Sequence, residues 1–590
     1  MGQMKRVFLM CFIGVIYAYA CVAQSDEDIR AIVSAAGVSG LEDLDEYDME
    51  LYLAILSSPV RINVEGPDRL VSSGLLSAFQ SASLLDYRER HGDILSLAEL
   101  SSVDGFTSDV VDALAPFISM DSAGGILKPN VGSVRYETAV RASARMDGGE
   151  SDYGYAAKMR IGNDALSGAI SISRSYGMPD MSPQLRSFNL VCRLPVSGAE
   201  FMAGDFNARF GQGLVMWNGM SVSGVASPSS CRKNSPGLSP TWSFSGSSAL
   251  TGLASRLKSR CWTLSAALVF PELKKYAWAD IGDILLPVVN YTWYGMSGQM
   301  SVTHMTQIDG MITGKLQIAD MKTSSDMQIC IDGTNVYSEV AYDWRNRTVA
   351  GLGGTDWAVG EDGRLGVHLR YYPYAYLSSW SSALRSSTKC SNEYGLAFSG
   401  EFPEILFSID AAYNPVPKVK DASTCLQLKA TLRWKPELWD IGNMDLRLVE
   451  RWRSWGTPFK TDFRADIHLN LYGWTLSARF NALQCRELGL LMYFEESWKN
   501  ENLSFHVRQG IFRIDKWDDR IYVYERDTPG SFNVPSFYGR GVWASAFGGW
   551  KFCRSGHVYL RLFYITYPFY GEENRKPGKA ELRLQFSFSI

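Results

Sequence analysis

Residues 580–590 read AELRLQFSFSI. Ala580, Leu582, Leu584, Phe586, Phe588 and Ile590 share one face, and Glu581, Arg583, Gln585, Ser587 and Ser589 share the other. Period-two alternation of this kind specifies a β-strand with one apolar and one polar face. Residues 462–481 repeat the pattern twice. Phe463, Ala465, Ile467, Leu469 and Leu471 alternate with Asp462, Arg464, Asp466, His468 and Asn470. After Tyr472-Gly473, Trp474, Leu476, Ala478 and Phe480 alternate with Thr475, Ser477, Arg479 and Asn481. A soluble sandwich would bury the apolar face against a second sheet; a membrane barrel would turn it to lipid. These strands approach the roughly 9–11 residues that cross a bilayer at a tilt. Their polar faces carry both signs of charge, as a wet lumen permits. A one-residue slip would put Arg583 into lipid, at a cost of about 2–4 kcal/mol near the midplane.

Connection lengths favour the barrel. Counting back from 580–590 places strands near 556–567, 541–551, 502–513, 488–496, 474–484 and 462–471. Three connections are then short turns, 552–555, 497–501 and 472–473. The alternate ones, 568–579, 514–540 and 485–487, include two long loops. An outer-membrane barrel has short periplasmic turns and long outer loops, and only 485–487 departs from that parity. The predicted fold is mainly β: a large antiparallel transmembrane barrel over 131–590. The 465 residues from 126 to 590, at roughly 20 per strand with its connection, give about 22 strands, inside an even range of about 18–26.

The rest of the chain has different physics. The 590 residues include 58 Lys+Arg and 62 Asp+Glu, a net charge of −4. Residues 24–120 hold five Arg, no Lys and 18 acidic residues, a balance of −13, while residues 121–590 carry +7. With 46% hydrophobic and 13% aromatic residues, disorder is excluded. Beyond the N-terminus no apolar run is long enough for a membrane helix. Residues 1–23 read as a secretory signal: Lys5 and Arg6, an apolar stretch from Val7 to Ala20, then small residues. Cleavage fits after Ala20 or Ala23; lipoprotein cleavage before Cys21 is disfavoured by Tyr19. Residues 24–120 show helical periodicity, and 121–130 form a Gly/Pro linker. The ten cysteines include no C-x-x-C pair and lie near no His cluster, so no zinc or thioredoxin-like site is expected. Buried or lipid-facing thiols are expected, with one or two disulfides left open. No metal or other cofactor is called for.

Residues 59–117 resemble the tandem helix-hairpin-helix motifs of competence DNA receptors. The residues that carry the resemblance are Asn63, Leu70, Gly74-Leu75, Leu84-Leu85-Asp86-Tyr87-Arg88, Gly92, Leu97, Glu99-Leu100, Val103, Gly105-Phe106 and Leu114. In that family the hairpin reads Gly-hydrophobic-Gly, and its backbone N–H groups hold a DNA phosphate. Here Leu76 follows Gly74-Leu75 and Thr107 follows Gly105-Phe106. The second glycine is absent twice, and DNA affinity needs cations that this region lacks. Packing, or docking of a periplasmic protein, is favoured over duplex DNA.

The barrel is similar to a group of outer-membrane barrels from Bacteroidota-type bacteria that carry such an N-terminal domain. The likeness rests on three segments. The first is Gly204-Asp205-Phe206 through Phe210-Gly211-Gln212-Gly213-Leu214 to Trp217. The second is Arg370-Tyr371-Tyr372-Pro373 leading to Asn392-Glu393-Tyr394-Gly395. The third is Asp519-Arg520-Ile521-Tyr522 through Tyr538-Gly539-Arg540-Gly541. The group implies architecture rather than an activity, and it singles out Asp205, Gln212, Trp217 and Glu393.

Loop 514–540 has content of its own. Long ordered loops in compact bodies are usually functional, and this one is dense in charge and aromatics. Arg520, Tyr522, Tyr524, Glu525, Arg526, Asp527 and Arg540 are the candidate ligand or gate residues. If the loop enters the lumen, its arginines should pair with its own acids or with wall carboxylates, and both tyrosines should pack inward. Enzyme motifs (G-x-S-x-G, H-E-x-x-H, Walker loop, G-x-G-x-x-G) are absent, leaving only His468 and His506, on polar strand faces, for a hydrolase. The expected function is an outer-membrane channel or uptake component, its helical domain periplasmic or plugging the pore. A membrane-seated interaction protein and a DNA-uptake protein are the alternatives. Expected partners are outer-membrane lipid, the barrel-assembly machinery acting on the last strand, and a periplasmic protein.

Overall fold

The structure, a computed structural model, describes residues 134–589 apart from short stretches in connections, and residues 31–121 in part. Strands from Arg135–Asp147 to Lys579–Ser589 form a closed antiparallel barrel of 24 strands. The last strand closes it, pairing on one edge with Gly556–Thr566 and on the other with Arg135–Asp147. The strands expected between 462 and 567 are present as Phe459–Leu471, Trp474–Gln484, Leu488–Lys499, Leu503–Ile514, Gly539–Cys553 and Gly556–Thr566.

The count corrects the expected 22. Roughly 20 residues per strand overestimates most of this chain, because hairpins such as 148–149, 296–297, 332–333 and 472–473 leave almost nothing between strands. At 332–333 both Asp332 (φ 48°) and Gly333 (φ 74°) are left-handed, as a type I′ hairpin requires. Connections at the end where Lys579–Ser589 finishes are short, reaching their maximum at 435–441. Those at the other end include 210–249, 373–392 and 515–538. All the long connections therefore lie at one end, as in an outer-membrane barrel, although 148–149, 344–347 and 485–487 at that end are short too.

Side chains alternate as the pattern requires. Leu582 and Phe586 are 42% and 51% exposed on the outer surface, whereas Gln585 between them is 1% exposed inside. Aromatic residues ring both ends of the outer face. Trp293, Trp434, Trp474 and Trp550 are exposed near the short turns, and Trp344, Tyr371, Tyr413 and Phe459 near the long loops. Such girdles sit at the two bilayer interfaces. All eight described cysteines are free thiols.

The N-terminal segment builds a second core around Ile32, Leu70, Leu84, Leu100 and Phe117. Its helices include Ala78–His91, Leu97–Leu100 and Ser108–Leu114, and Val60–Arg61 pairs in parallel with Ile118–Ser119. Ser96 caps the second helix by accepting the Glu99 N–H. Asn63 is buried, donates to the Ile94 and Met120 carbonyls and accepts the Ile94 N–H. Arg88 donates to the Asn63 and Glu65 carbonyls, and the Tyr87 hydroxyl to Glu99.

Truncation after Gln585 removes Phe586 and Phe588, which pair with Val558 and Gly556 on one side and Val140 and Thr138 on the other. An open edge in lipid strands backbone groups that nothing can satisfy. The truncated chain should give no heat-modifiable band in a membrane fraction. A folded, heat-modifiable product would contradict the closure.

Candidate functional site: an occupied lumen

Loop 515–538 turns into the barrel. Glu525, Arg526, Asp527 and Thr528 are at most 5% exposed. Read along the chain, Glu525-Arg526-Asp527 is negative, positive, negative, and the wall offers the complement. Glu525 receives Arg508 (3.0 Å), the Trp543 indole N–H (3.0 Å) and the Ser545 hydroxyl (2.8 Å). Arg526 reaches Glu495 (3.0 Å), which also holds Arg508 (2.6 Å). Asp527 sits between Arg583 and Arg561, two cations that lie directly opposite each other in register. The Pro529 carbonyl accepts from Arg141 and Gln585, both at 3.0 Å. Arg508 also donates to the Tyr524 carbonyl (2.6 Å). The segment thus crosses the seam where the last strand meets the first. Hydrogen-bonded charge pairs of this kind are stronger away from bulk water.

At the rim the same loop behaves differently. Asp519, fully buried, accepts the N–H groups of Cys485, Arg486 and Glu487. That explains why the outer loop 485–487 is so short: its amides are satisfied by a neighbouring loop. Among the described residues Arg520 pairs with no carboxylate. It donates to the Tyr522 hydroxyl (2.7 Å) and the Trp517 carbonyl (3.0 Å). Tyr522 is 47% exposed, so only Tyr524 packs inward, and the expectation for Tyr522 is corrected. It lies next to the rim turn fixed by Asp519, before the chain descends. Arg540 pairs with Asp515 (2.6 Å) and holds that carboxyl below the usual range by its hydrogen bonds.

The motif residues of the barrel occupy a second inward region. Strand Ala199–Arg209 pairs with Gln184–Leu194 only as far as Gly204. Beyond it, Phe206–Arg209 pairs with Gly237–Pro240 instead, and residues 206–210 are all buried. Gly204 has φ +107°, and a Cβ there would lie 2.3 Å from the Phe188 carbonyl oxygen. Asp205 seals the fork: its carboxylate accepts the Phe188 N–H (3.0 Å) from one wall strand and the Thr251 hydroxyl from the next. Gln212 and Trp217 then meet around Lys233. The Lys233 N–H donates to the Gln212 side chain (2.8 Å), and its ammonium lies 4.2 Å from the Trp217 ring centroid. Wall residue Glu339 accepts the Gln212 and Leu214 N–H groups. Glu393 lies apart from these, in a buried ion cluster. Arg370 bonds Glu393 (2.6 Å) and Asp410 (2.8 Å), while Glu393 also accepts the Ser386 and Ser387 N–H groups. Loops 210–249 and 373–392 interlock: Tyr376 donates to the Leu214 carbonyl, and Ser381 to that of Gly213. Phe210, Leu214, Met216, Tyr372 and Tyr376 share one apolar cluster.

Of the hairpin residues, Leu75 and Phe106 are buried in the helical core, the Gly105 carbonyl accepts from Gln80 (2.9 Å), and Gly74 lies outside the described residues, as do the signal and linker segments. That core includes Tyr524, with Phe532 and Val534 packed against it. On another side, helix Ala78–His91 contacts strands Ile284–Gly295 and Gly298–Asp309. His468 Nδ1 bonds the Ser477 hydroxyl (2.8 Å), and His506 is buried against Phe547 with neither ring nitrogen hydrogen-bonded to a described residue. Among the described residues no group of three His, Cys, Asp or Glu side chains converges to hold a metal. Nothing in the sequence marks Glu495, Arg508 and Arg561 as partners of the loop. Their only signal is a charge on the inward face of a strand.

No protein-family model and no curated protein matches the sequence. Similar solved structures include the translocation pore of the P pilus usher PapC, 8% identical with a TM-score of 0.37, covering 77% of this chain and 99% of that one. OccK3 (OpdO) of Pseudomonas aeruginosa is 9% identical with a TM-score of 0.28, covering 78% and 96%. The siderophore receptor PirA of Acinetobacter baumannii is 8% identical with a TM-score of 0.38, covering 78% and 81%.

Asp527→Asn should leave the opposed Arg561 and Arg583 with one of their two shared carboxylates, Glu581. Removing one partner of a buried charge pair costs about 3–5 kcal/mol. The unfolding transition of the purified barrel in urea should shift accordingly, and Arg583→Gln added to Asp527→Asn should recover part of the loss. An unchanged transition in the single variant would mean that the loop is not docked.

Proposed function

We propose that the chain is an outer-membrane channel or uptake component whose lumen is closed from within and opened on demand. The observation that carries this reading is the chemistry of the 524–529 contact. It is made of ion pairs and hydrogen bonds to a polar wall, which water can replace when the segment lifts. An apolar core such as the 210–249/373–392 contact has no such substitute and suits a fixed filling. The helical segment is the second element of closure in this reading. It packs on Tyr524 from one side and approaches strands Ile284–Gly295 and Gly298–Asp309 on the other, which lie about half the barrel away in strand order. In this reading the segment is a helix-hairpin-helix-like plug, entered from the periplasm, within a barrel of the Bacteroidota kind. The barrel-assembly machinery would recognise strand Lys579–Ser589.

A second reading is an interaction protein whose helical domain docks a periplasmic partner. The −13 balance of residues 24–120 favours a basic protein partner. It disfavours DNA, and Asn63, Tyr87 and Arg88 are engaged within the domain. No enzymatic step is assigned.

Replacing Tyr524–Pro529 by a Gly/Ser hexapeptide keeps the loop length and removes the docking groups. In planar bilayers the full-length variant should conduct at least severalfold more than the parent chain. Equal conductance, in a variant that retains heat modifiability, would refute closure by this loop.

A further inference from the structure

Three neighbouring strands carry a row of cations on their inward faces near the outer mouth. Lys429 lies opposite Arg451, and Arg451 lies opposite Lys460. Like charges directly opposite each other in antiparallel strands are destabilising. At Arg561 and Arg583 the chain places Asp527 between the pair. No described carboxylate does so at Arg451 and Lys460. Arg451 Nε is buried and has no hydrogen-bond partner among the described residues. Lys460 makes no hydrogen bond or ion pair with a described residue, and the nearby Asp462 is engaged by Arg447 (3.2 Å) and Asn481 (2.7 Å).

Two further cations converge there. Arg453 ends its strand at the mouth and donates Nε to Gln427, 2.6 Å away, with its guanidinium 5.5 Å from the Trp455 ring centroid. Arg520, from the rim of loop 515–538, lies within electrostatic reach of Lys460. It is held over Trp517 at 4.7 Å and bonded to Tyr522, so its position is fixed without a counter-ion. A buried polar atom with no partner calls for an explanation, and a cleft lined by one sign of charge concentrates the opposite ion. Guanidinium groups match the planar, two-oxygen edge of carboxylate and phosphate.

We propose that Arg451, Arg453, Lys460 and Arg520 form a binding site at the outer mouth for an anionic group, a phosphate or carboxylate carried by a solute. The site names the solute class for the channel and rests on that reading for its role in uptake. Binding itself does not require conduction, so the two fail separately: saturable binding with unchanged conductance in the hexapeptide variant keeps the site and removes closure by the loop.

The full-length protein in detergent is titrated with inorganic pyrophosphate and, separately, with citrate, at an ionic strength held constant with sodium chloride. Tryptophan fluorescence and the heat-modifiable transition are followed. Saturable binding by at least one probe is expected, and which probe binds tells phosphate from carboxylate. Arg451→Gln with Lys460→Gln should weaken it at least tenfold and raise the unfolding temperature in the absence of anion, because a repulsion is gone. Arg520→Gln, on a loop, should weaken binding about threefold and reads the same site independently of the strand residues. Three results would overturn the site: a response no larger than that to chloride, unchanged affinity in the variants, or a double variant less stable without anion. The last would mean that the chain's own acidic segment occupies the cluster.

Discussion

The structure depends most on one contact, the docking of Glu525-Arg526-Asp527 on the charges of Glu495, Arg508, Arg561 and Arg583. These wall residues belong to four different strands; without the loop Arg508 is left with Glu495, and the opposed Arg561 and Arg583 are left sharing Glu581. Arg561 and Arg583 are opposed across the last strand pair, and Asp527 lies between them. The loop is therefore part of the wall's electrostatics, and the wall is what folds the loop. Because the docked segment also presents Tyr524 to the helical core, the position of that core follows from the same contact.

The lumen is filled in two physically different ways. On one side a wall strand leaves the barrel at Gly204-Asp205, and loops 210–249 and 373–392 lock together around an apolar cluster. Opening that side would expose hydrocarbon to water, at about 25 cal/mol for each Å². On the other side the contact of residues 525–529 is ionic, and each broken pair regains hydration, while Ile521, Val523 and Phe537 of the same loop stay in an apolar cluster with the wall. In the proposed reading this asymmetry gives movement to residues 525–529 and rigidity to the filling around Phe210, Leu214 and Tyr376.

Much of the fold was legible because a barrel wall is written locally. The alternation at 580–590 and 462–481 assigns each side chain to lipid or lumen, and the loop parity fixes the topology. The strand number was harder, since it depends on how short the other hairpins are. Loop 514–540 could be singled out by its length and charge. Its partners could not, because Arg561 and Arg583 meet Asp527, and Arg141 meets the Pro529 carbonyl, only when the later strands and the closing seam are in place. Tyr522 and Tyr524 are two residues apart and look equivalent in sequence. The rim turn fixed by Asp519 separates them, leaving one in water and one in the core. Asp205 stood out only through a resemblance. Its task, satisfying a backbone N–H where two strands part, leaves no periodic trace.

Hydrogen exchange on the full-length protein tests the central claim most directly. The amides of Val523 and Glu525 bond to the Pro535 and Asn533 carbonyls, and that of Thr528 to the Asp527 carboxylate, in a segment shielded from water. Peptides covering 523–529 should exchange as slowly as those from wall strands Leu503–Ile514 and Lys579–Ser589, and far more slowly than the rim at 516–518. Exchange of 523–529 within seconds, at the rate of an exposed loop, would show that the segment does not occupy the lumen and would remove the basis for closure.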